Sequence, residues 1–128
     1  MSNEDVLIAR RYRVEDGKGR HLYVTICADP RTKTPYELWV TVPDENKAVE
    51  QEVRTAVTMV AALFSEARQG GVPYSKLYKA MEQVCYSKAS IPARILRLLA
   101  QNCPIAKAEA LEFEYASQNE KGEQRVEV

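Results

Sequence analysis

The fold is decided by residues 44–71, which read DENKAVEQEVRTAVTMVAALFSEARQGG. Apolar residues recur here at steps of three and four, the spacing of one face of an α-helix. They are Val49, Val53, Ala56, Val57, Val60, Leu63, Phe64 and Ala67. Asp44 can accept from the free amides of the first turn, and Gly70-Gly71 can end the helix in a left-handed turn. The sequence predicts one long amphipathic helix, which needs a sheet against which to bury its apolar face.

Three segments before this helix alternate apolar and polar residues, as β-strands do. They are Val6 to Val14, His21 to Ala28 and Tyr36 to Val42. Arg10 interrupts the apolar face of the first segment. Gly17 and Gly19 supply the first turn, and a polar connection framed by Pro30 and Pro35 supplies the second. Short connections predict an antiparallel meander.

Two shorter helices and one more strand are expected after the long helix. Pro73 suits the first turn of the second helix, and Ser90 is placed to cap the third, which Pro104 prevents from continuing. Leu111, Phe113 and Tyr115 alternate with glutamates, which predicts a fourth strand.

The predicted fold class is α+β, an antiparallel meander of about four strands with one face covered by a long helix and two shorter helices. Residues 1–116 are expected to form a single domain, since 128 residues suit one core. The polar residues 117–128 are expected to form a flexible tail.

Composition narrows the class of partner. Eighteen basic residues balance eighteen acidic ones, which argues against binding a long nucleic acid but leaves room for a local anion site. No apolar run approaches the roughly 20 residues that span a bilayer, and no signal segment opens the chain. The three cysteines are widely spaced and indicate reduced thiols in the cytoplasm.

Catalytic chemistry, a metal site and a cofactor are not expected. His21, the single histidine, stands on a strand with no nucleophile placed beside it, so a half-exposed strand position is favoured. Cys85 fits a buried structural thiol better than an activated one. Glu112 and Glu114 are best explained as solvating a strand. One histidine and no paired-cysteine motif argue against a structural zinc site.

The connection between the second and third helices is the candidate ligand site. It comprises Tyr86, Lys88, Ser90, Arg94 and Arg97. The free amides of a helix N-terminus favour an anion, a tyrosine ring can stack on a base, and arginine can grip a phosphate with two N–H groups. Arg54 and Arg31 add charge only if folding brings them close. The alternative interpretation is structural: Ser90 caps, the arginines solvate the helix and Tyr86 packs.

The outer sheet face is the candidate subunit contact. If the long helix covers one face, Tyr23 and Trp39 lie on the opposite face, and large aromatic groups in open solvent often mark an interface. A homodimer or higher symmetric assembly is expected, with the ligand pocket shared between protomers.

Residues 20–99 resemble the TSCPD domain, best known as an appended module of adenosylcobalamin-dependent ribonucleotide reductases. The similar segments are HLYVTI (21–26), PYELWV (35–40), GGVP (70–73) and ASIPA (89–93). The last falls where the family carries Thr-Ser-Cys-Pro-Asp. Ser90 and Pro92 match this signature, whereas Ile91 replaces its cysteine and Ala93 its acid. The resemblance implies an accessory or regulatory module of ribonucleotide reduction.

The chain is also similar, in size, element order and the segment around Tyr86, to phage Thoeris anti-defence proteins of the first type. Those are oligomeric sponges that sequester cyclic ADP-ribose-like signals and, in some members, cyclic oligonucleotides. This similarity implies a non-catalytic protein that binds a small phosphorylated nucleotide, the hypothesis ranked first. The reductase module ranks second. A protein-interaction module that uses Trp39 and Tyr23 as its contact surface ranks third.

Overall fold

The computed structural model describes residues 6–15, 17, 19, 21–43 and 51–114. The elements in order are β1 (Ile8–Glu15), β2 (His21–Ala28), β3 (Pro35–Thr41), α1 (Gln51–Gln69), α2 (Tyr74–Gln83), α3 (Ile91–Asn102) and a fourth helix, α4 (105–114). The strands pair antiparallel in the order β1-β2-β3. The α+β class and the meander are confirmed. Asp44 and residues 117–128, on which the predicted cap and tail fall, lie outside the described residues.

The predicted fourth strand is wrong, because residues 105–114 are helical. Pro104 ends one helix and opens the next, and its carbonyl accepts the Ala108 N–H at 3.2 Å. The segment IAKAEALE (105–112) is rich in strong helix formers. Ala108 is buried, whereas Phe113, assigned to an apolar strand face by its alternation, is 73% exposed. The described part of the sheet therefore has three strands.

The core lies between one face of the sheet and the helices. Leu22, Val24 and Ile26 of β2 are buried, and the residues between them face the other way. Val24 lies opposite Val40 and Ile26 opposite Leu38, so both strands present the same face to the helices. Buried helical residues complete the core; they include Val57, Ala61, Phe64, Tyr74, Ile95, Leu96, Leu99 and Ala108. All the helices therefore contribute to covering this one face.

The buried face of α1 is rotated from the predicted one. Ser65 and Arg68 are buried although the sequence pattern placed both on the polar side, while Val60 and Leu63 of the predicted apolar face are exposed. The Leu38 N–H donates to Ser65 Oγ at 2.8 Å, and the Leu38 carbonyl lies 3.0 Å from the same hydroxyl. Ser65 thus hydrogen-bonds backbone groups of β3, which is an edge strand of the described sheet.

The predicted left-handed end of α1 is confirmed. Gly71 has φ 94°, its N–H donates to the Arg68 carbonyl at 3.1 Å, and the Val72 N–H donates to the Ala67 carbonyl at 3.0 Å. These two bonds form a Schellman motif, which satisfies carbonyls that the helix leaves unpaired.

α4 packs on the start of α2. Pro73 offers no side chain to cap α2, and the Glu112 carboxylate supplies the missing acceptor for the Ser75 N–H at 3.2 Å and for the Ser75 hydroxyl. Lys79 and Glu109 add an ion pair at 3.1 Å. Glu112, interpreted from the sequence as solvating a strand, is therefore a capping group for a neighbouring helix.

Candidate ligand-binding site

The α2–α3 loop (residues 84–90) displays an aromatic side chain almost wholly in water. Tyr86 is 92% exposed, the most exposed large side chain among the described apolar and aromatic residues. Lys88 in the same loop is also exposed. A tyrosine in this state has both ring faces open to a stacking partner.

Ser90 caps α3, as the sequence predicted. Its hydroxyl oxygen accepts from the Ala93 N–H at 3.3 Å, and the hydroxyl donates to the Ser87 carbonyl at 2.7 Å. Pro92 has no N–H to offer. The backbone positions of Pro92 and Ala93 therefore offer no free N–H to an anion. Attraction for a phosphate at this helix start must come mainly from side chains.

The guanidinium groups of Arg94 and Arg97 return to the α2–α3 loop and bind its backbone. Arg97 Nη1 donates to the Lys88 carbonyl at 2.7 Å, and Arg94 Nε donates to the Ala89 carbonyl at 3.3 Å. Arg94 also lies against the β1–β2 turn, since a Cβ at Gly17 would be 3.0 Å from Arg94 Nη2. The two arginines are therefore oriented by carbonyl oxygens.

No described carboxylate forms an ion pair with Arg94, Arg97 or Lys88. A guanidinium carries five N–H donors, so each arginine keeps donors beyond the bond to its carbonyl. The loop and the first two turns of α3 form a local cationic surface on a chain whose formal net charge is zero. A surface of this kind can attract a small anion by local charge, without a field from the whole protein.

Arg54 stands apart from this surface. Its Nη2 lies 3.4 Å from the carbonyls of Val42 and Pro43, which follow β3. The structure thus brings Arg94 and Arg97 to the loop that carries Lys88 and Ser90. No hydrogen bond or ring contact among the described residues joins Tyr86 to either arginine, and Arg54 lies with a different segment. Arg31 binds Asp29 in the β2–β3 turn.

Both predicted interface residues lie on the sheet face opposite the helices. Trp39 is 46% exposed and lies opposite Thr25 in the pairing of β2 with β3. Tyr23 is half-buried, with the Arg11 guanidinium carbon 4.1 Å from its ring centroid and the His21 ring edge-on at 5.2 Å. Trp39 is accordingly the more available of the two for a subunit contact.

Two cavities lie away from Tyr86, Lys88, Arg94 and Arg97. An apolar cavity of about 240 Å³ separates α1 from α3 and is lined by apolar side chains such as Val60, Met81 and Leu96. A polar cavity of about 370 Å³ lies at the C-terminal end of α3 and is lined in part by Arg10 and Lys33. Sequence reasoning missed the polar cavity, although an arginine on the inward face of β1 was its signal.

No helix in the described ranges combines the length and the apolar character needed to cross a membrane. The same residues contain no cluster of three or more His, Cys, Asp or Glu able to hold a metal ion. Comparison with known families shows that the model of the TSCPD domain matches residues 3–103. No curated protein and no solved structure matches the chain.

Proposed function

The chain belongs to the TSCPD domain family, and we propose that it is a non-catalytic module that binds a small phosphorylated nucleotide at the α2–α3 loop. One observation carries the proposal. Tyr86 stands 92% exposed in the loop whose carbonyls orient Arg94 and Arg97. A nucleotide base can stack on the Tyr86 ring, and its phosphate can accept hydrogen bonds from the guanidinium N–H groups that the carbonyls leave free.

Orientation by the backbone makes the arginines suited to this role. A free arginine side chain loses several rotamers when it binds a ligand, which weakens binding. Arg97 Nη1 is already held 2.7 Å from the Lys88 carbonyl, so less conformational freedom remains to be lost. Lys88 adds an exposed ammonium that can approach a second phosphate oxygen as a point charge.

The residue types around the loop favour holding a ligand without transforming it. Residues 84–97 contain no histidine and no carboxylate, the usual general bases. The Cys85 thiol contacts the Ser87 carbonyl at 3.9 Å and the Ser90 hydroxyl at 3.8 Å, and neither is a base that would activate it.

The more specific role that we propose is a sponge of the phage anti-defence kind. It would sequester a cyclic ADP-ribose-like or cyclic oligonucleotide signal as a homo-oligomer. We place it in the cytoplasm, because Cys27, Cys85 and Cys103 are free thiols, as is usual in reducing compartments.

Titration calorimetry with cyclic ADP-ribose, cyclic dinucleotides and AMP tests the binding. We expect heat from at least one of them, and we expect Tyr86→Ala and Arg97→Gln each to weaken binding by about ten- to a hundredfold. Arg13→Gln is the matched control, since Arg13 is exposed on the opposite sheet face and pairs with Glu15 at 2.8 Å. Absence of heat from every nucleotide, or equal weakening by Arg13→Gln, overturns the proposal.

The assembly has its own test. We expect light scattering to give a mass above the 14.5 kDa of one chain, and Trp39→Ala to reduce it to that value because it removes the exposed aromatic anchor. Leu63→Ala, on α1 at the opposite side of the sheet, should leave the mass unchanged. A single-chain mass for the wild type, or dissociation by Leu63→Ala alone, contradicts the assignment of Trp39 to the interface.

The second candidate function is an accessory module of ribonucleotide reductase. It is favoured by an exposed apolar stripe on α1, formed by Met59, Val60 and Leu63, which suits contact with another protein. Co-purification with a reductase that Leu63→Asp abolishes would support it. If the chain binds a nucleotide and no reductase co-purifies with it, only the nucleotide-binding function remains supported.

A further inference from the structure

The polar cavity lies at the end of α3 remote from the α2–α3 loop, and its volume of about 370 Å³ falls within the roughly 300–1,000 Å³ typical of ligand pockets. Its walls come from β1, β2, the β2–β3 turn and the end of α3. Its lining residues include Ile8, Arg10, Tyr12, Asp29, Lys33 and Asn102. Residues from four parts of the chain therefore converge on one half-open cavity.

Arg10 is an exposed cation on the side of β1 that faces the helices. It lies opposite Ile26, which is buried, and it shares its strand face with Ile8 and Tyr12. No described carboxylate forms an ion pair with it. An exposed arginine in the cavity lining, with no described carboxylate in an ion pair with it, keeps its N–H donors available for an anion from solvent.

Lys33, in the β2–β3 turn, is a second exposed cation in the cavity lining. It has a left-handed φ of 62°, uncommon for a residue with a side chain. Its N–H donates to the Asp29 carbonyl at 2.8 Å, and the Asp29 N–H donates to the Thr34 carbonyl at 3.0 Å, so the turn is closed on both sides. Cys103 also lines the cavity. Burial raises the pKa of its thiol to about 11, and the positive charge of Lys33 opposes that rise. The Lys33 ammonium therefore acts electrostatically on the cavity lining.

Asp29, the carboxylate in the cavity lining, already accepts hydrogen bonds from its own turn. Partial burial alone would raise the pKa of Asp29, but hydrogen bonds from Arg31 and Thr32 lower it below its usual value. Its Oδ1 accepts the Arg31 N–H at 2.8 Å, and Oδ2 lies 3.4 Å from Arg31 Nη2. Arg31 thus balances this carboxylate, and the charges of Arg10 and Lys33 are left in excess.

A neutral polar pair completes the wall. The Tyr12 hydroxyl donates to Asn102 Oδ1 at 3.0 Å, and Asn102 Nδ2 donates to the Leu98 carbonyl at 2.8 Å. These bonds fix which way the amide points. They leave one amide N–H and the lone pairs of the tyrosine oxygen for a hydroxyl-bearing ligand.

We propose that the polar cavity is a second binding site, for a compact phosphate monoester of the size of a sugar phosphate. The phosphate lies between Arg10 and Lys33, and the hydroxyl-bearing body lies against Tyr12 and Asn102. This site is separate from the α2–α3 loop and does not depend on the function proposed for that loop.

The test is a titration of the ¹⁵N-labelled chain with inorganic phosphate, ribose 5-phosphate and ribose, followed by NMR. We expect the Asn102 side-chain amide and the Lys33 backbone amide to shift saturably with the two phosphates, more tightly with ribose 5-phosphate, and not with ribose. Arg10→Gln and Lys33→Asn should each weaken binding by about ten- to a hundredfold. Asparagine is chosen at position 33 because it tolerates a left-handed φ.

Two controls separate this site from the other one. Arg13→Gln removes an arginine from the opposite face of β1, and Tyr86→Ala alters the α2–α3 loop; both should bind ribose 5-phosphate as the wild type does. Failure of either phosphate to shift these amides, equal binding of ribose, or unchanged binding by both Arg10→Gln and Lys33→Asn overturns the proposal. Shifts confined to the α2–α3 loop would also overturn it.

Discussion

Replacement of Tyr74 by alanine is expected to lower the free energy of unfolding by about 3–5 kcal/mol, the usual cost of deleting a buried aromatic side chain. Tyr74 is fully buried and its ring meets Phe64 and Tyr78 edge-on, with centroids 6.1 and 6.2 Å away. Its hydroxyl donates to the Cys103 carbonyl at 2.9 Å. One side chain therefore joins α1, α2 and the end of α3, and its loss removes packing from all three.

Urea denaturation followed by circular dichroism measures this loss. Tyr74→Phe keeps the ring and should cost only about 1–3 kcal/mol, because one buried carbonyl loses its donor. Tyr86→Ala is the matched control within the same chain, since that tyrosine is 92% exposed and its removal should change stability by less than about 0.5 kcal/mol. Equal destabilisation by Tyr74→Ala and Tyr86→Ala would contradict the packing described here.

Arg68→Ala is expected to lower the free energy of unfolding by about 3 kcal/mol, because two carbonyls lose their donors and a buried side chain is removed. Arg68 Nε donates to the Pro35 carbonyl and Nη1 to the Val72 carbonyl, each at 2.8 Å. Its guanidinium carbon lies 4.4 Å from the Tyr36 ring centroid. Arg68 thus ties the end of α1 to the start of β3 and to the α1–α2 connection.

Arg68→Lys distinguishes the geometry of these bonds from charge alone. Lysine keeps the charge but lacks the planar fork that reaches both carbonyls, so a substantial part of the loss should remain. Gln69→Ala, exposed on the same turn, should have little effect. The same denaturation assay applies, and full recovery of stability by lysine would show that the two directed bonds contribute nothing.

Local patterns predicted most of the fold. Alternation located β2 because Leu22, Val24 and Ile26 bury one face while their neighbours stay outside. The double glycine located the end of α1 because only a residue that accepts positive φ forms the observed turn. These features depend on residues close in sequence, which is why one sequence sufficed.

The errors arose where distant partners decide the outcome. Arg68 and Ser65 are buried because β3 offers them backbone groups, and no periodicity within α1 shows that. The alternation of Leu111 with Phe113 resembled a strand, but Glu112 binds Ser75 of α2 and the alanines around it favour a helix.

The same distinction between local and distant residues applies to the two candidate ligand sites. Tyr86, Lys88, Ser90, Arg94 and Arg97 were predicted together because they are close in sequence and lie near a predicted helix N-terminus. The polar cavity needed the fold, since Arg10, Lys33 and Asn102 come from distant segments. Its sequence signal was the misplaced charge of Arg10 on an otherwise apolar strand face.

Recovery of a bound nucleotide tests the central claim most directly. The purified chain is incubated with the nucleotides used for calorimetry, washed and heat-denatured, and the released molecule is identified by mass spectrometry. We expect one phosphorylated nucleotide to be released unaltered, and to be lost from a folded Arg94→Gln/Arg97→Gln variant. Release of no nucleotide, release of a chemically altered one, or equal retention by the double variant would contradict non-catalytic binding at the α2–α3 loop.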